Sequence, residues 1–440
     1  MKETSLPSHH IGDLQAETIF ALSSGAPPAG IAVVRVSGPR AGVALHALAG
    51  GLPSVRRAAA RTLRNERGEV LDRALVLWLP GPGTATGEDV AELHLHGGRA
   101  IVSAVERALA DLPGLRAATP GEFTRRAFAN GRIDLAEAEG LAGLLEAETE
   151  LQRRSAMALA DGALSQQVGE WRDRVLALSA EVEAALDFSD EEDAADLPAG
   201  FGARVDGLAA ELEEWLARPR ATVLREGYRV VLAGPPNAGK STLFNTLLEN
   251  EAAITSPIAG TTRDVLERSV ALAGIPFTFV DTAGLREGEG GDEIETIGIA
   301  RAQEQLARAD LVLWLGEEGQ GPAGAWEIEA KAADGAPRAK SKQALALSAI
   351  SGFHMDHLRE RLIARAREAM PAPGAVALTR RQSALLDEAR AALAGIEAAG
   401  DPLIAAEHLR LARSAFDRLT GRASTEDMLD ALFGRFCIGK

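Results

Sequence analysis

Val230-Val231-Leu232-Ala233-Gly234-Pro235-Pro236-Asn237-Ala238-Gly239-Lys240-Ser241-Thr242 is an apolar run that turns into the pattern G-x-x-x-x-G-K-S. Leu243 to Leu248 continues as a helix. Strand, glycine loop and helix in that order form a phosphate-binding loop in the context it needs; a chance glycine-rich turn would lack the flanking elements. The glycines let backbone N–H groups close around phosphate oxygens. Lys240 brings a point charge to the β and γ positions, and the new helix offers its positive end. Ser241 is the expected Mg²⁺ ligand.

Two further segments narrow the nucleotide chemistry. Phe277-Thr278-Phe279-Val280 reads as a strand ending in Asp281-Thr282-Ala283-Gly284. Asp281 is expected to hold Mg²⁺ through water, and the Gly284 N–H to sense the γ-phosphate. Between the two lies Gly260-Thr261-Thr262-Arg263-Asp264, where Thr262 supplies a second hydroxyl to Mg²⁺. Phosphate loop, threonine switch and D-T-A-G stand in the order of small GTPases. Leu285 follows D-T-A-G, where many such enzymes place a water-orienting Gln. A leucine cannot hydrogen-bond water. Hydrolysis therefore needs a cation, another side chain or a second copy of the protein; an inert nucleotide switch is the alternative.

A length of 440 residues suggests two to four domains. An apolar content of 46% is enough for real cores, and the low aromatic content of 4% favours helix over sheet outside the nucleotide region. The opening Met1-Lys2-Glu3-Thr4-Ser5 carries no charged-then-apolar leader. No apolar stretch approaches the ~20 residues that span a bilayer, so no membrane role is expected. One cysteine, Cys437, excludes an internal disulfide framework and suits a cytoplasmic protein. A net charge of −16 makes the chain a poor nucleic-acid binder on its own. If nucleic acid is the substrate, a partner or a local basic patch must meet most of the phosphates.

Residues 14–130 read as mixed α/β. Gly30–Val36, Ala74–Leu79 and Val90–His96 are expected strands, and Ala100–Leu109 a helix. Residues 133–218 are helical by spacing, as are 380–433; the acidic run Asp187–Asp193 is expected to be a solvated loop. Helices on both sides of an α/β module suggest a GTPase domain inserted into one helical domain. Glu92, His94 and His96 alternate onto one strand face. Histidine and carboxylate are good metal ligands, but no further ligand is evident.

The chain carries Ala29-Gly30-Ile31-Ala32-Val33-Val34-Arg35-Val36-Ser37-Gly38, then Thr86-Gly87-Glu88-Asp89-Val90-Ala91-Glu92 with His96-Gly97-Gly98. Pro120-Gly121-Glu122-Phe123-Thr124-Arg125-Arg126-Ala127-Phe128 follows, Leu224-Arg225-Glu226-Gly227 leads into the phosphate-loop strand, and the end is Phe436-Cys437-Ile438-Gly439-Lys440. With the nucleotide motifs, these resemble the MnmE/TrmE family of tRNA-modification GTPases over nearly the whole length.

The resemblance implies three domains: a folate-binding and dimerisation domain at 14–130, a discontinuous helical domain at 131–225 and 372–440, and a Ras-like, doubly wound GTPase domain at 226–371. It implies a homodimer, and a heterotetramer with an FAD- and NADH-using partner, MnmG. Together they modify carbon 5 of the wobble uridine, position 34, of certain tRNAs, with 5,10-methylene-tetrahydrofolate as the one-carbon donor and 5-formyl-tetrahydrofolate as its analogue. Folate contacts fall on Arg35, Glu92, Arg132 and Lys440; Arg132 stands where some relatives have Lys. Three cations suit the glutamate tail, and Glu92 suits pterin N–H groups.

GTP contacts fall on Asn237, Ala238, Gly239, Lys240, Ser241 and Thr242; on Ser256, Pro257, Ile258, Ala259, Gly260, Thr261 and Thr262; and on Asp281, Thr282, Ala283 and Gly284. Mg²⁺ takes Ser241 and Thr262. K⁺ takes Asn237, Ser256, Ile258 and Thr261, and promotes dimerisation of the GTPase domains. Glu295 aligns with the family's water-positioning glutamate, allowing for two extra residues in Gly288-Glu289-Gly290-Gly291, with Asp292 and Glu293 as alternatives nearby. Lys240 and Cys437 are the other candidate catalytic residues, although one cysteine near a chain end is not by itself evidence of reactivity.

The sequence departs from the pattern at the base. No N-K-x-D is present. Ala330-Lys331-Ala332-Ala333-Asp334 follows a strand-like segment, with its Asp one residue late; Ala339-Lys340-Ser341-Lys342 has Lys in place of Asp. Lys331 with Asp334 is the favoured pair, and Ser348-Ala349 matches the next base-side loop. Gly316–Lys342 is short and rich in Gly and Ala, so a helix usual there is expected to be absent. The alternative function is a non-catalytic assembly GTPase of the ribosome-maturation type.

Overall fold

Alternation of apolar and polar side chains builds the first sheet. In the computed structural model, which describes residues 17–187, 197–218, 221–248, 266–282, 303–332, 339–341, 343–372, 374–397, 401–423, 425–434 and 436–439, the chain forms two compact units. One is Met1–Ala142 with Asp417–Lys440; the other is Gly143–Phe416.

The first unit holds β1 (Thr18–Leu22), β2 (Ile31–Ser37), β3 (Ala59–Arg64), β4 (Val70–Leu79), β5 (Val90–His96) and β6 (Leu115–Ala117) in the order β3-β4-β5-β2-β1-β6. All neighbours are antiparallel except β1 and β6. One face carries Val34, Val36, Val76, Leu93 and Leu95 into a core shared with Leu45 and Leu48 of helix Ala41–Ala49 and Val105 and Leu109 of helix Arg99–Ala110. The period of two sends Arg35, Glu92, His94 and His96 to the opposite face. Helix Glu426–Phe433 belongs to this unit: Leu429, Phe433 and Phe436 pack with Leu135 and Ala138.

The second unit combines a helical part with a second sheet. Helix Ala163–Asp187 buries Leu164, Val168, Trp171, Val175, Leu178, Val182 and Ala185, alternating steps of four and three that keep one stripe inward. Trp171 lies edge-on to Trp215 of helix Phe201–Leu216 and is stacked on Phe416 of helix Pro402–Thr420. Its indole N–H donates to Glu211 at 3.1 Å, which satisfies its one polar atom.

The sheet orders β7 (Tyr228–Ala233), β8 (Leu266–Leu272), β9 (Ile275–Asp281), β10 (Leu311–Trp314), β11 (Trp326–Glu329) and β12 (Leu345–Ala346) as β12-β11-β10-β7-β9-β8. Only β8 is antiparallel to its neighbour. Parallel strands buried on both faces read as continuous apolar runs, and every residue of β7 and β9 is buried. Between β10 and β11, Leu315–Ala325 makes the parallel connection without a helix, as the Gly- and Ala-rich sequence led one to expect.

Candidate functional site: a phosphate loop and an arginine–glutamate pair

The phosphate loop lies between the end of β7 and helix Lys240–Leu248, beside the carboxyl end of β9, where open parallel sheets bind ligands. Gly234 has φ +146°, and a β-carbon there would stand 3.0 Å from the Gly316 nitrogen, so only glycine fits the turn. Asn237 takes a left-handed φ of 60°, which asparagine tolerates better than most residues. Lys240 is buried, and its Nζ donates to the carbonyls of Gly234 at 3.0 Å and Pro235 at 2.8 Å. The ammonium thus lies within the loop's own backbone.

Ser241 Oγ donates to Asp281 Oδ2 at 2.6 Å. A hydroxyl and a carboxylate in contact beside the loop form an oxygen pair of the kind a hard divalent cation takes. Thr282 Oγ1 donates to the Leu232 carbonyl at 2.8 Å and ties the end of β9 to β7. Thr242 is exposed on the first turn of the helix.

The two base-recognition candidates are placed differently. Lys331 Nζ donates to the Asn237 carbonyl at 3.0 Å, so its side chain reaches the phosphate loop. Lys340 turns elsewhere, pairing with Glu327 at 2.7 Å and donating to the Trp314 carbonyl at 3.3 Å. Ser348 bridges Lys331 through the backbone, and the Ala349 carbonyl accepts from Thr246 Oγ1 at 3.3 Å. Ser256, Pro257, Ile258, Ala259, Gly260, Thr261, Thr262, Ala283, Gly284, Glu295, Asp334 and Lys440 lie outside the described residues, as does most of the acidic run after Asp187.

In the first unit, β2 and β5 bring Arg35 directly opposite Glu92. Arg35 donates to Glu92 Oε1 from Nε at 3.1 Å and Nη2 at 3.0 Å, and its guanidinium lies 5.9 Å from the Phe123 ring centre. His94 Nε2 is 3.2 Å from Glu92 Oε2, and His96 Nδ1 is 2.7 Å from Asp72 Oδ1. Among the described residues no group of three or more His, Cys, Asp or Glu is placed to hold a metal ion, so the alternating Glu92-His94-His96 triplet serves hydrogen bonding instead.

Arg132 is exposed next to Gly87, and no hydrogen bond joins its side chain to Arg35 or Glu92. The tail reaches the same unit: the Gly121 N–H meets the Cys437 carbonyl at 3.5 Å. Gly439 has φ +96°, and a β-carbon there would collide with the Leu22 carbonyl at 2.1 Å. Leu22 adjoins Ala21, the register partner of Arg35. Cys437 is exposed. Phe123 and Gly121 escaped notice as site residues, although both lie in the P-G-E-F-T-R-R-A-F run.

An ionic network braces this region. Glu122 is buried and accepts from Arg116 Nη1 at 2.8 Å and Nη2 at 2.7 Å and from Arg126 Nη2 at 3.0 Å. Arg126 also reaches Glu88 at 3.2 Å, whose other contact is the Ser37 hydroxyl at 2.7 Å. Burial by itself would raise the Glu122 carboxyl; the bonds from Arg116 and the Thr119 N–H, with the charges of Arg116 and Arg126, outweigh it and bring it down to about 2. A depressed carboxylate stabilises the fold above its unfolded value and loses that contribution as pH falls. Glu122→Gln is therefore expected to cost on the order of 3 kcal/mol at pH 7 and roughly half of that or less at pH 3. Urea unfolding of both proteins at the two pH values measures it; a gap independent of pH would show that charge is not its origin.

A parallel sheet carrying this loop, the Ser241–Asp281 couple and a lysine laid over the loop defines a Ras-like P-loop GTPase domain, joined in this chain to a helical part and a separate N-terminal α/β unit. The MnmE helical domain family model matches residues 135–437, and that of the GTP-binding protein TrmE N-terminus matches residues 18–132. The chain is 65% identical to the tRNA modification GTPase MnmE of Erythrobacter litoralis (strain HTCC2594), over 96% of this chain and 100% of that one. It is 64% identical to the tRNA modification GTPase MnmE of Novosphingobium aromaticivorans, again over 96% and 100%, and 60% identical to that of Rhizorhabdus wittichii, over 98% of each. The chain belongs to the MnmE family of tRNA modification GTPases, and the ribosome-maturation alternative is set aside. No helix among the described residues is long and apolar enough to cross a membrane.

Proposed function

We propose that this protein is the GTP-hydrolysing component of a cytoplasmic complex that modifies carbon 5 of uridine 34 in certain tRNAs. Its working form is a homodimer joined to an FAD- and NADH-using MnmG-type partner as a heterotetramer. Residues 14–130 dimerise and, with Arg132 and Lys440, bind folate; 131–225 with 372–440 form the helical domain, its residues up to Ala142 and from Asp417 packing in one unit with the N-terminal residues; and 226–371 form the GTPase domain. The observation that carries the reading is the coexistence, in one chain of this family, of the phosphate loop with its Ser241–Asp281 couple and the Arg35–Glu92 cradle.

In the GTPase domain the loop backbone from Asn237 to Thr242 cradles the phosphates, and Lys240 neutralises charge between them. Ser241 and Thr262 hold Mg²⁺, whose charge offsets that developing on the phosphates when GTP is bound. Asn237, Ser256, Ile258 and Thr261 hold K⁺, and Glu295 positions water. Lys331, Asp334, Ser348 and Ala349 line the base. In the N-terminal unit Glu92 accepts from the pterin with Arg35 bonded beside it, and Arg132 and Lys440 meet the carboxylates of the folate tail. The chemistry of the donor set fits that group: cations for an anionic tail, and a carboxylate held on two sides by Arg35 and His94 for the pterin N–H groups. Methylene-tetrahydrofolate, when bound, supplies the one-carbon unit. Cys437, whose carbonyl faces the Gly121 N–H, is the candidate nucleophile, with the tail held by Gly439 against Leu22.

Nucleoside analysis of tRNA from cells lacking the protein tests the reading. Loss of the modified wobble uridine is expected, and an unchanged nucleoside profile would overturn it. The folate assignment has its own test. Arg35→Ala, Glu92→Ala and removal of Lys440 should each weaken 5-formyl-tetrahydrofolate binding in calorimetry while leaving GTP hydrolysis unaltered. Absence of folate binding by the unaltered protein would end that assignment.

A further inference from the structure

An acidic protein that acts on tRNA needs a local surface that tolerates phosphates, and one edge of the N-terminal sheet is strongly basic. Arg56, Arg57, Arg61, Arg64, Arg67 and Arg73 lie within one short stretch, against only Glu66, Glu69 and Asp72, in a chain of net charge −16. All six arginines are exposed. The nearby carboxylates are partly spoken for: Asp72 is buried and bonded to His96, and Glu69 accepts from Asn65 Nδ2 at 2.6 Å. Arg64 is fixed across the hairpin turn on the Gly68 carbonyl at 2.7 Å, and Arg56 on the Gly83 carbonyl. Among the described residues no side-chain partner is seen for Arg57, Arg67 or Arg73.

We propose that this β3–β4 edge is a contact surface for the phosphodiester backbone of the RNA substrate, a proposal that rests on the tRNA reading above. β3 is the outermost strand of the sheet, so its outer side has no neighbouring strand. Charged residues also guard such edges against pairing with another strand, a role that lysine fills most often. Here every cation is arginine, whose planar fork matches phosphate and stacks on bases. Pairing two copies of this edge would set arginines against arginines, so charge favours RNA over a second copy.

The placement also leads toward the cradle. The register that sets Leu75 opposite His94 and Leu77 opposite Glu92 puts Arg73 next to His96 on the same face as Arg35. Arg35 lies three strands in from the β3 edge, ~14 Å at ordinary strand spacing. A single-stranded loop whose backbone follows the edge can lay a splayed base over the face carrying Arg35 and Glu92.

The test is binding of deproteinised bulk tRNA by the full chain across a salt series. It compares the unaltered protein, R57Q/R67Q/R73Q, and the control R153Q/R154Q/R410Q, which removes equal charge from exposed helix surfaces. The edge variant should bind at least ~10-fold more weakly and lower the slope of log K against log salt by roughly two, since each phosphate contact contributes ~0.7–0.9. The control should change affinity by less than about twofold, as expected for charges outside the contact. Thermal unfolding and GTP hydrolysis, unchanged in both variants, show that folding is intact. Equal losses in edge variant and control, an unchanged edge variant, or no tRNA binding by the unaltered chain would each overturn the proposal. A changed oligomeric state with unchanged tRNA affinity would assign the edge to a second copy instead. Nucleoside analysis judges the modification reading separately, so the two can fail independently.

Discussion

Lys240→Ala is expected to reduce GTP hydrolysis by ~10³-fold or more, to the limit of detection. The reasoning starts from burial. Lys240 is only 6% exposed, and its ammonium lies among the carbonyls of Gly234 and Pro235, within the backbone that surrounds the phosphates. In so dry a site a single positive charge acts with little screening. Among the described residues the two nearby lysines are already engaged: Lys331 donates to the Asn237 carbonyl, and Lys340 is paired with Glu327. The variant should keep its fold, because the aliphatic stem contributes little to the large apolar core around Leu243, Phe244 and Leu247. Single-turnover hydrolysis with a matching circular dichroism spectrum measures the effect. A near-normal rate in a folded variant would remove Lys240 from the phosphate site.

The second large effect concerns how water is activated with Leu285 after D-T-A-G. Hydrolysis is expected to run ~10³-fold faster in K⁺ than in Na⁺ at equal ionic strength, the scale of a charge supplied at the transition state. Asn237→Ala should erase most of that difference, because its side chain stands in the loop on a left-handed residue and is exposed, open to a cation. Glu295→Ala should lower the rate in both salts. Equal rates of the unaltered protein in K⁺ and Na⁺ would defeat the cation mechanism, and a fully active Glu295→Ala would move the water-positioning role to another residue.

Elements with a clean period were legible in the sequence. Residues 31–37, 90–96, 275–281 and 326–329 form strands close to where the apolar patterns put them, and the helix Ala163–Asp187 follows its spacing. What escaped notice did so for physical reasons. The edge strand β3 reads Ala-Ala-Arg-Thr-Leu-Arg and buries only Leu63 fully, so it carries no alternation to detect. β4 begins at Val70 rather than Ala74 because a buried Asp72, unexpected in a strand core, is satisfied by the backbone N–H and ring of His96.

In the candidate site, the phosphate loop is local and was readable. The choice between Lys331 and Lys340 was decided by contacts far along the chain, to Asn237 and to Glu327. Arg35 and Glu92 meet across paired strands at a separation of 57 residues, and no local pattern announces that. Only the resemblance had brought them together.

The packing of Gly439 against Leu22, and of Phe433 and Phe436 beside Leu135, bears on how the protein is made. The N-terminal unit needs residues 417–439 to close its surface, yet the ribosome must first produce all of Gly143–Phe416. At ordinary elongation rates that delay is roughly 15–55 s. Throughout it the apolar side chains around Phe128 and Leu135 wait without their cover, while the GTPase sheet has its strands as soon as Ala346 is made, about seventy residues before Asp417. The nucleotide-binding half is thus the first to mature on the ribosome, and the half that carries the Arg35–Glu92 cradle is sealed only after residues 417–439 have followed it.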